Sequence, residues 1–324
     1  MYLETQTYRN HATGLATDTA SPAGAAPPAA AGTPHRSTPQ LAFNPALAGL
    51  ARQLFAGGNG AAAFDARVRG TDARSIDMQL ARISQDVYDP SSRGIDGWQR
   101  LDDGQLRAAG IDPASLEDPS TGFRAAVYQD AGGNHVLAFA GSNDIKDWLD
   151  NARQGVGLPA AEYNQAVALA TQAKVAFGHD LAIIGHSLGG GLASMAALAT
   201  DTPAVTFNAS GLNDATLRRL IPEGDPAALK RQAEQGLVRR YAVDGEVLTS
   251  AQEGTPLPDA VGHKIALHDP APVAAPQLHW YDWLYGKAEV LEAGYQAAKL
   301  KHSVDLHMID PVIDALGKDH PWTA

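Results

Sequence analysis

Ser187 stands in the run Gly185-His186-Ser187-Leu188-Gly189. The apolar stretch Leu181-Ala182-Ile183-Ile184 precedes it, and the small-residue stretch Gly190-Gly191-Leu192-Ala193-Ser194-Met195-Ala196-Ala197-Leu198 follows. A buried strand, a glycine-bounded serine and a helix form a nucleophile elbow, which lifts a hydroxyl clear of the sheet end. The turn is sharp and strained, so the positions beside the serine cannot carry bulk, and Gly185 and Gly189 leave that space. The helix aims unpaired N–H groups and its positive end at the place where an oxyanion would form. The bare five-residue pattern also occurs by chance as a glycine-rich turn. The strand before it and the helix after it weight this one toward chemistry.

A serine hydroxyl is a poor nucleophile until a base takes its proton, and the base needs an acid to hold its tautomer. With a strand–elbow–helix unit the partners follow in the chain order serine, acid, histidine. Asp244 is the expected acid: it directly follows the strand-like run Leu237-Val238-Arg239-Arg240-Tyr241-Ala242-Val243, and Gly245 allows a turn. Asp214 suits a helix cap before Ala215, while Asp259 and Asp269 sit in polar or proline-bearing loops. Two histidines compete for the base. Asp310-Pro311 reads as a helix start, which leaves His307 on the loop just ahead of a C-terminal helix. His302 is the alternate, further back and assignable to the end of the preceding helix. His186, inside the elbow, is expected to pack beside the nucleophile, and His263, His268 and His279 read as surface or loop histidines.

The elements that position these groups alternate. Helices are expected over Leu41 to Phe55, Ile76 to Tyr88, Asp103 to Ala109 and Ala161 to Phe177. Strands are expected over Phe123 to Tyr128, His135 to Ala140, Leu181 to Ile184, Ala204 to Phe207 and Leu237 to Val243, with loops dominating 91–120. Such alternation gives an α/β protein with a mostly parallel central sheet covered by helices on both faces, and ligands bind outside the carboxyl ends of its strands. With the elbow, that is the α/β-hydrolase fold. A long insertion, about 265–300, follows the acid. It carries Leu278, Trp280, Tyr281, Trp283, Leu284 and Tyr285 and then a helix from Lys287 to Ala298, a cap whose aromatics pack on the sheet or cover an acyl groove.

Composition narrows the class. The chain has 324 residues, 44% of them hydrophobic, enough for one large domain over 41–324. Residues 1–40 are polar and then rich in Ala, Pro, Gly, Ser and Thr. They read as a disordered segment without the apolar core of a secretory signal. A net charge of −11 without a basic cluster argues against nucleic acid. The absence of cysteine excludes thiolate catalysis and disulfides, and no metal or cofactor is expected.

Three segments together resemble the class 3 lipases and related bacterial phospholipase-like hydrolases: Val136-Leu137-Ala138-Phe139-Ala140-Gly141-Ser142, Asp147-Trp148-Leu149-Asp150-Asn151, and Gly185 to Gly190. That family carries arginine and threonine where this chain has Ala140 and Ser142. The hydroxyl survives, so the resemblance implies that Ser142 and the Leu188 N–H form the oxyanion hole. His307-Met308-Ile309-Asp310-Pro311-Val312-Ile313-Asp314-Ala315-Leu316 is similar to the histidine segment of lipase-like effectors delivered between bacteria. The resemblance implies a phospholipase A-type enzyme or lipase, peripheral membrane contact, export by a specialised route outside the general secretory pathway (otherwise a cytoplasmic protein), and a cognate immunity protein. An esterase or thioesterase for soluble substrates, and a non-catalytic binding domain, are the alternatives.

Overall fold

The computed structural model describes residues 63–142, 160–279 and 287–323. The expected helix at Leu41 to Phe55, the N-terminal segment, the Asp147-Trp148 motif and the aromatic run Trp280 to Tyr285 lie outside them.

The strands are β1 (Gly94–Ile95), β2 (Trp98–Arg100), β3 (Glu117–Asp118), β4 (Phe123–Gln129), β5 (His135–Phe139), β6 (Leu181–His186), β7 (Ala204–Phe207), β8 (Val238–Val243) and β9 (His263–Leu267). They form one sheet in the order β1-β2-β4-β5-β6-β7-β8-β9, with β3 paired to β4. Pairing is antiparallel as far as β5 and parallel from β5 to β9. The Asp130–Asn134 turn joins β4 to β5: Asp130 Oδ1 accepts from the N–H groups of Gly132 and Asn134. The parallel strands need crossovers, and helices supply them.

The helices are α1 (Phe64–Val68), α2 (Ile76–Asp86), α3 (Asp103–Ala108), α4 (Ala160–Phe177), α5 (Leu188–Thr200), α6 (Asp214–Leu220), α7 (Pro226–Gln232), α8 (Val247–Gly254), α9 (Lys287–Asp305) and α10 (Ile309–Asp319). Strand side chains alternate between the two layers they form. Leu181 and Ile183 of β6 pack into the core built by α4 and α5, with Val167, Ala170, Leu192 and Ala196. Ala182 and Ile184 point the other way, into the core built by α2 and α10, with Leu80, Ile83, Val312 and Leu316. Every residue of β6 and of α5 is buried, so the elbow lies between two covered faces.

A buried ion pair fixes α1 and α2 to the sheet. The Arg239 guanidinium of β8 meets both carboxylate oxygens of Asp77, in the first turn of α2, at 2.7 and 2.9 Å. Its third nitrogen donates to the carbonyls of Val68 and Gly70, and the Tyr241 hydroxyl donates to Asp77. Neither charged side chain meets solvent.

Three expectations need correction. Residues 91–120 hold β1, β2 and β3 besides a short helix, because the apolar Ile95 and Trp98 flank a tight turn at Asp96-Gly97. His263 begins β9, so the insertion expected from about 265 starts only after Leu267; the strand is too polar on its exposed side to read as one. The helix expected from Lys287 to Ala298 runs to Asp305, since nothing in Lys299-Leu300-Lys301-His302 breaks it.

Candidate active site

Ser187 sits between β6 and α5 with φ 58° and ψ −126°, a backbone conformation that an L-residue adopts only under constraint. The constraint is steric. A Cβ on Gly185 would lie 2.1 Å from the Gly189 carbonyl oxygen, and one on Gly189 would lie 2.2 Å from that of Phe139. Ser187 is held by its N–H, which donates to the Phe207 carbonyl, and by its carbonyl, which accepts from Gly190, Gly191 and Ser210.

His307 follows α9 by two residues and precedes α10 by two. Its Nε2 lies 2.8 Å from Ser187 Oγ and its Nδ1 lies 2.8 Å from Glu246 Oε2. Ser187 is 2% exposed and Glu246 and His307 are 0% exposed, so the three groups interact away from bulk water. Glu246 is the N-cap of α8. The oxygen that meets His307 also accepts the Leu248 N–H at 2.8 Å, and the other accepts the Thr249 N–H. Burial works to raise the Glu246 pKa, but the hydrogen bond and charge of His307 and the Thr249 contacts outweigh it, and the carboxyl is held below its ordinary value.

The structure therefore brings Ser187 and His307 together, and it puts Glu246, not Asp244, on the far nitrogen of the imidazole. Asp244 directly follows β8, but its side chain is exposed and its N–H donates to the Leu267 carbonyl. The chain needs the turn at Asp244-Gly245 to come back over the sheet rim, so the first inward-facing carboxylate is two residues later. The signal was Glu246 ahead of the apolar Val247-Leu248, a charge followed at once by residues bound for the core. His302 stays in the last turn of α9, where its Nε2 meets Asp269 Oδ2 at 2.8 Å. The helix after His307 begins at Ile309 with Met308 as N-cap, so Asp310 lies in its first turn and does not cap it.

Leu188, the first residue of α5, is buried, and first-turn N–H groups have no partner within a helix. Ser142 is half-buried, and a Cβ on its neighbour Gly141 would lie 3.1 Å from Ser187 Cβ, so this loop lies against the elbow. Sequence reasoning missed Asn208. It follows β7 with φ 42°, a left-handed conformation that asparagine tolerates. Its Nδ2 donates to the Leu306 and His307 carbonyls and its Oδ1 accepts the Val243 N–H, which ties the exits of β7 and β8 to the turn that carries the base. Among the described residues no cluster of three or more His, Asp or Glu could hold a metal ion. A serine, an imidazole and a carboxylate in this order can run acyl transfer through a covalent intermediate.

Comparison with known proteins adds to the geometry. Residues 79–303 match the model of a phospholipase-like family described as the Tle-like phospholipase domain. The chain is 46% identical over 265 residues to an extracellular phospholipase A1 of Serratia liquefaciens, covering 82% of this chain and 77% of that protein. Among solved structures it is similar to a Rhizomucor miehei lipase in a propeptide complex, with a TM-score of 0.40 and 13% identity over 61% of this chain and 69% of that one. It is also similar to MDLA from Penicillium cyclopium, with a TM-score of 0.40 and 14% identity over 65% of this chain and 86% of that one.

Proposed function

The chain belongs to the phospholipase-like family of the Tle-like phospholipase domain, and on that premise we propose that Ser187, His307 and Glu246 are its catalytic triad for hydrolysing an acyl ester of a phospholipid. The observation that carries the reading is the His307 ring, which reaches Ser187 Oγ with one nitrogen and Glu246 with the other. His307 takes the Ser187 proton on Nε2 as Oγ bonds to the acyl carbonyl carbon. Glu246 accepts from Nδ1, holds that tautomer and stabilises the imidazolium. The Leu188 N–H and the Ser142 N–H or hydroxyl receive the oxyanion. His307 then protonates the leaving glycerol oxygen, and water, activated by the same ring, releases the fatty acid from Ser187.

The 46% identity to a phospholipase A1 supports cleavage at the first acyl position. The test is digestion of a phospholipid with distinct acyl chains at its two positions. The proposal expects the first-position fatty acid and the lysolipid from the native chain and neither from Ser187→Ala. Turnover by a folded Ser187→Ala variant would remove the triad reading.

The cap helix supports peripheral membrane contact. On α9, Val290, Leu291 and Leu300 are 73%, 43% and 63% exposed, and Lys287, Lys299 and Lys301 share its surface. Exposed apolar residues on one helix suit contact with a lipid surface, while its three lysines are balanced by Glu289, Glu292 and Asp305. No helix among the described residues is long and apolar enough to cross a membrane. Export fits the extracellular relative; delivery by a specialised route with a neutralising partner extends it, and expression in the compartment facing phospholipid, with arrest of growth as the readout, tests that extension.

A further inference from the structure

The elbow histidine has two ring nitrogens, and both are occupied. His186 Nε2 lies 2.7 Å from the His307 carbonyl oxygen, and His186 Nδ1 lies 3.0 Å from the Tyr88 hydroxyl. The Tyr88 hydroxyl in turn lies 2.8 Å from the Gly141 N–H. The directions of all three bonds follow from chemistry. A carbonyl only accepts, so His186 Nε2 carries the hydrogen. Burial, and then the neighbouring His307, push the His186 pKa down to about 3, so the ring is neutral and Nδ1 offers a lone pair. Tyr88 must then donate to Nδ1. Burial raises its pKa to about 12, which keeps the hydrogen in place. The remaining lone pairs of the Tyr88 oxygen accept the Gly141 N–H.

We propose that Tyr88 and His186 are positioning residues that tie the backbone beside the oxyanion site, at Gly141, to the backbone of the base, at His307. The inference rests on the triad reading above. The relay runs Gly141 N–H to Tyr88 hydroxyl to His186 ring to His307 carbonyl, and it joins four segments distant in the chain. Both ends matter to the reaction. Gly141 precedes Ser142 and lies against the elbow: a Cβ there would be 2.8 Å from the Tyr88 oxygen and 2.8 Å from the His186 carbonyl oxygen. His307 supplies the imidazole. The relay thus sets the distance between the group that receives charge and the group that moves the proton, which is the distance that must be right when the tetrahedral centre forms. Its frame is rigid. Arg124 Nη1 donates to the Tyr88 carbonyl, and the Tyr88 and His186 rings meet edge-on with centroids 6.1 Å apart.

The relay is separable from the fold. Asn208 donates to the same His307 carbonyl at 3.0 Å, so that oxygen keeps a partner when His186 is changed. Tyr88→Phe deletes one oxygen and keeps the ring. His186→Gln can keep the donor to His307 while losing the acceptor for Tyr88.

The experiment measures kcat and KM of the full chain on a short soluble ester for Tyr88→Phe, His186→Gln and the double variant, with Ser187→Ala as control and amide hydrogen exchange at Gly141 as a second readout. Each single variant is expected to lose roughly ten- to a hundredfold in kcat with KM changed by less than about twofold. The double variant is expected to match the worse single one, because both cut the same relay. Gly141 exchange is expected to accelerate in all three. A Tyr88→Phe variant with native kcat, beside an inactive Ser187→Ala, overturns the relay and leaves the triad standing. An active Ser187→Ala removes the triad instead. Losses that multiply in the double variant also overturn the relay, since independent packing defects behave that way. Should Tyr88→Phe fail to fold, the kcat and Gly141 exchange of His186→Gln decide.

Discussion

Glu246 Oε2 accepts from His307 Nδ1 at 2.8 Å and from the Leu248 N–H at the same distance. One carboxylate therefore holds the His307 ring and starts a helix. The acid cannot rotate away from the imidazole without uncapping α8.

Glu246→Gln tests this double role. An amide cannot stabilise the imidazolium, and its NH2 group competes with the Nδ1 hydrogen. kcat is expected to fall by roughly 10³- to 10⁴-fold. Loss of the charged cap is expected to lower stability by about 1 kcal/mol. Asp244→Asn, which alters an exposed side chain, is expected to leave both kcat and the thermal midpoint at native values. A steady-state assay beside a melting curve on the two variants separates the two carboxylates.

The contributions of His186 and Glu246 to stability are expected to fall on the acid side in two stages. Glu162, whose pKa burial raises to about 7, works in the opposite direction as pH falls to its ordinary value. Burial, and then the neighbouring His307, push the His186 pKa down to about 3 in the folded chain from its ordinary 6.5. Below 6.5 the unfolded chain takes up a proton at this ring that the folded chain refuses, so the His186 contribution declines as pH drops toward 3, at a limit of about 1.4 kcal/mol per pH unit. Glu246 is held below its ordinary value, so its contribution is present above the unfolded carboxylate pKa and is lost as pH falls through the folded one. Urea melts over about pH 2.5 to 7.5 measure both stages. His186→Gln is expected to flatten the upper one; an unchanged slope there would contradict a neutral buried imidazole.

Removing one partner of the Arg239–Asp77 pair leaves a buried charge alone. Arg239→Met is expected to cost about 3 to 5 kcal/mol. Pairing it with Asp77→Asn is expected to recover part of that, because the stranded charge is gone. Chemical denaturation of the single and double variants gives the comparison.

Val290→Glu with Leu300→Glu places charge on the exposed apolar residues of α9. Binding to phospholipid vesicles and hydrolysis of vesicle phospholipid are expected to drop together, while turnover of a soluble short-chain ester stays native. A sedimentation assay with the two substrates checks both halves.

The strands and helices that carry the core were readable because their apolar periods are strong, as in Ile76, Leu80 and Ile83 on one face of α2. The elbow was readable because Gly185 and Gly189 are sterically obligatory. His307 was singled out through a capping argument whose boundary proved two residues off, although His307 still precedes the helix. The carboxylate partner was not readable at the level of the residue. Asp244 and Glu246 flank one turn, and which of them faces inward depends on how the chain leaves β8, a tertiary fact. Asn208 and Tyr88 act through hydrogen bonds to groups far away in the chain, and no local pattern announces such contacts.

His307 lies on the turn between α9 and α10, and α10 docks on α2 through Val312, Ala315 and Leu316. Synthesis runs from the N-terminus, so the serine, its glycines and the whole sheet leave the ribosome before the imidazole that would arm them. On the triad proposed above, a nascent chain lacks its base until the final helix has been made and has settled on α2.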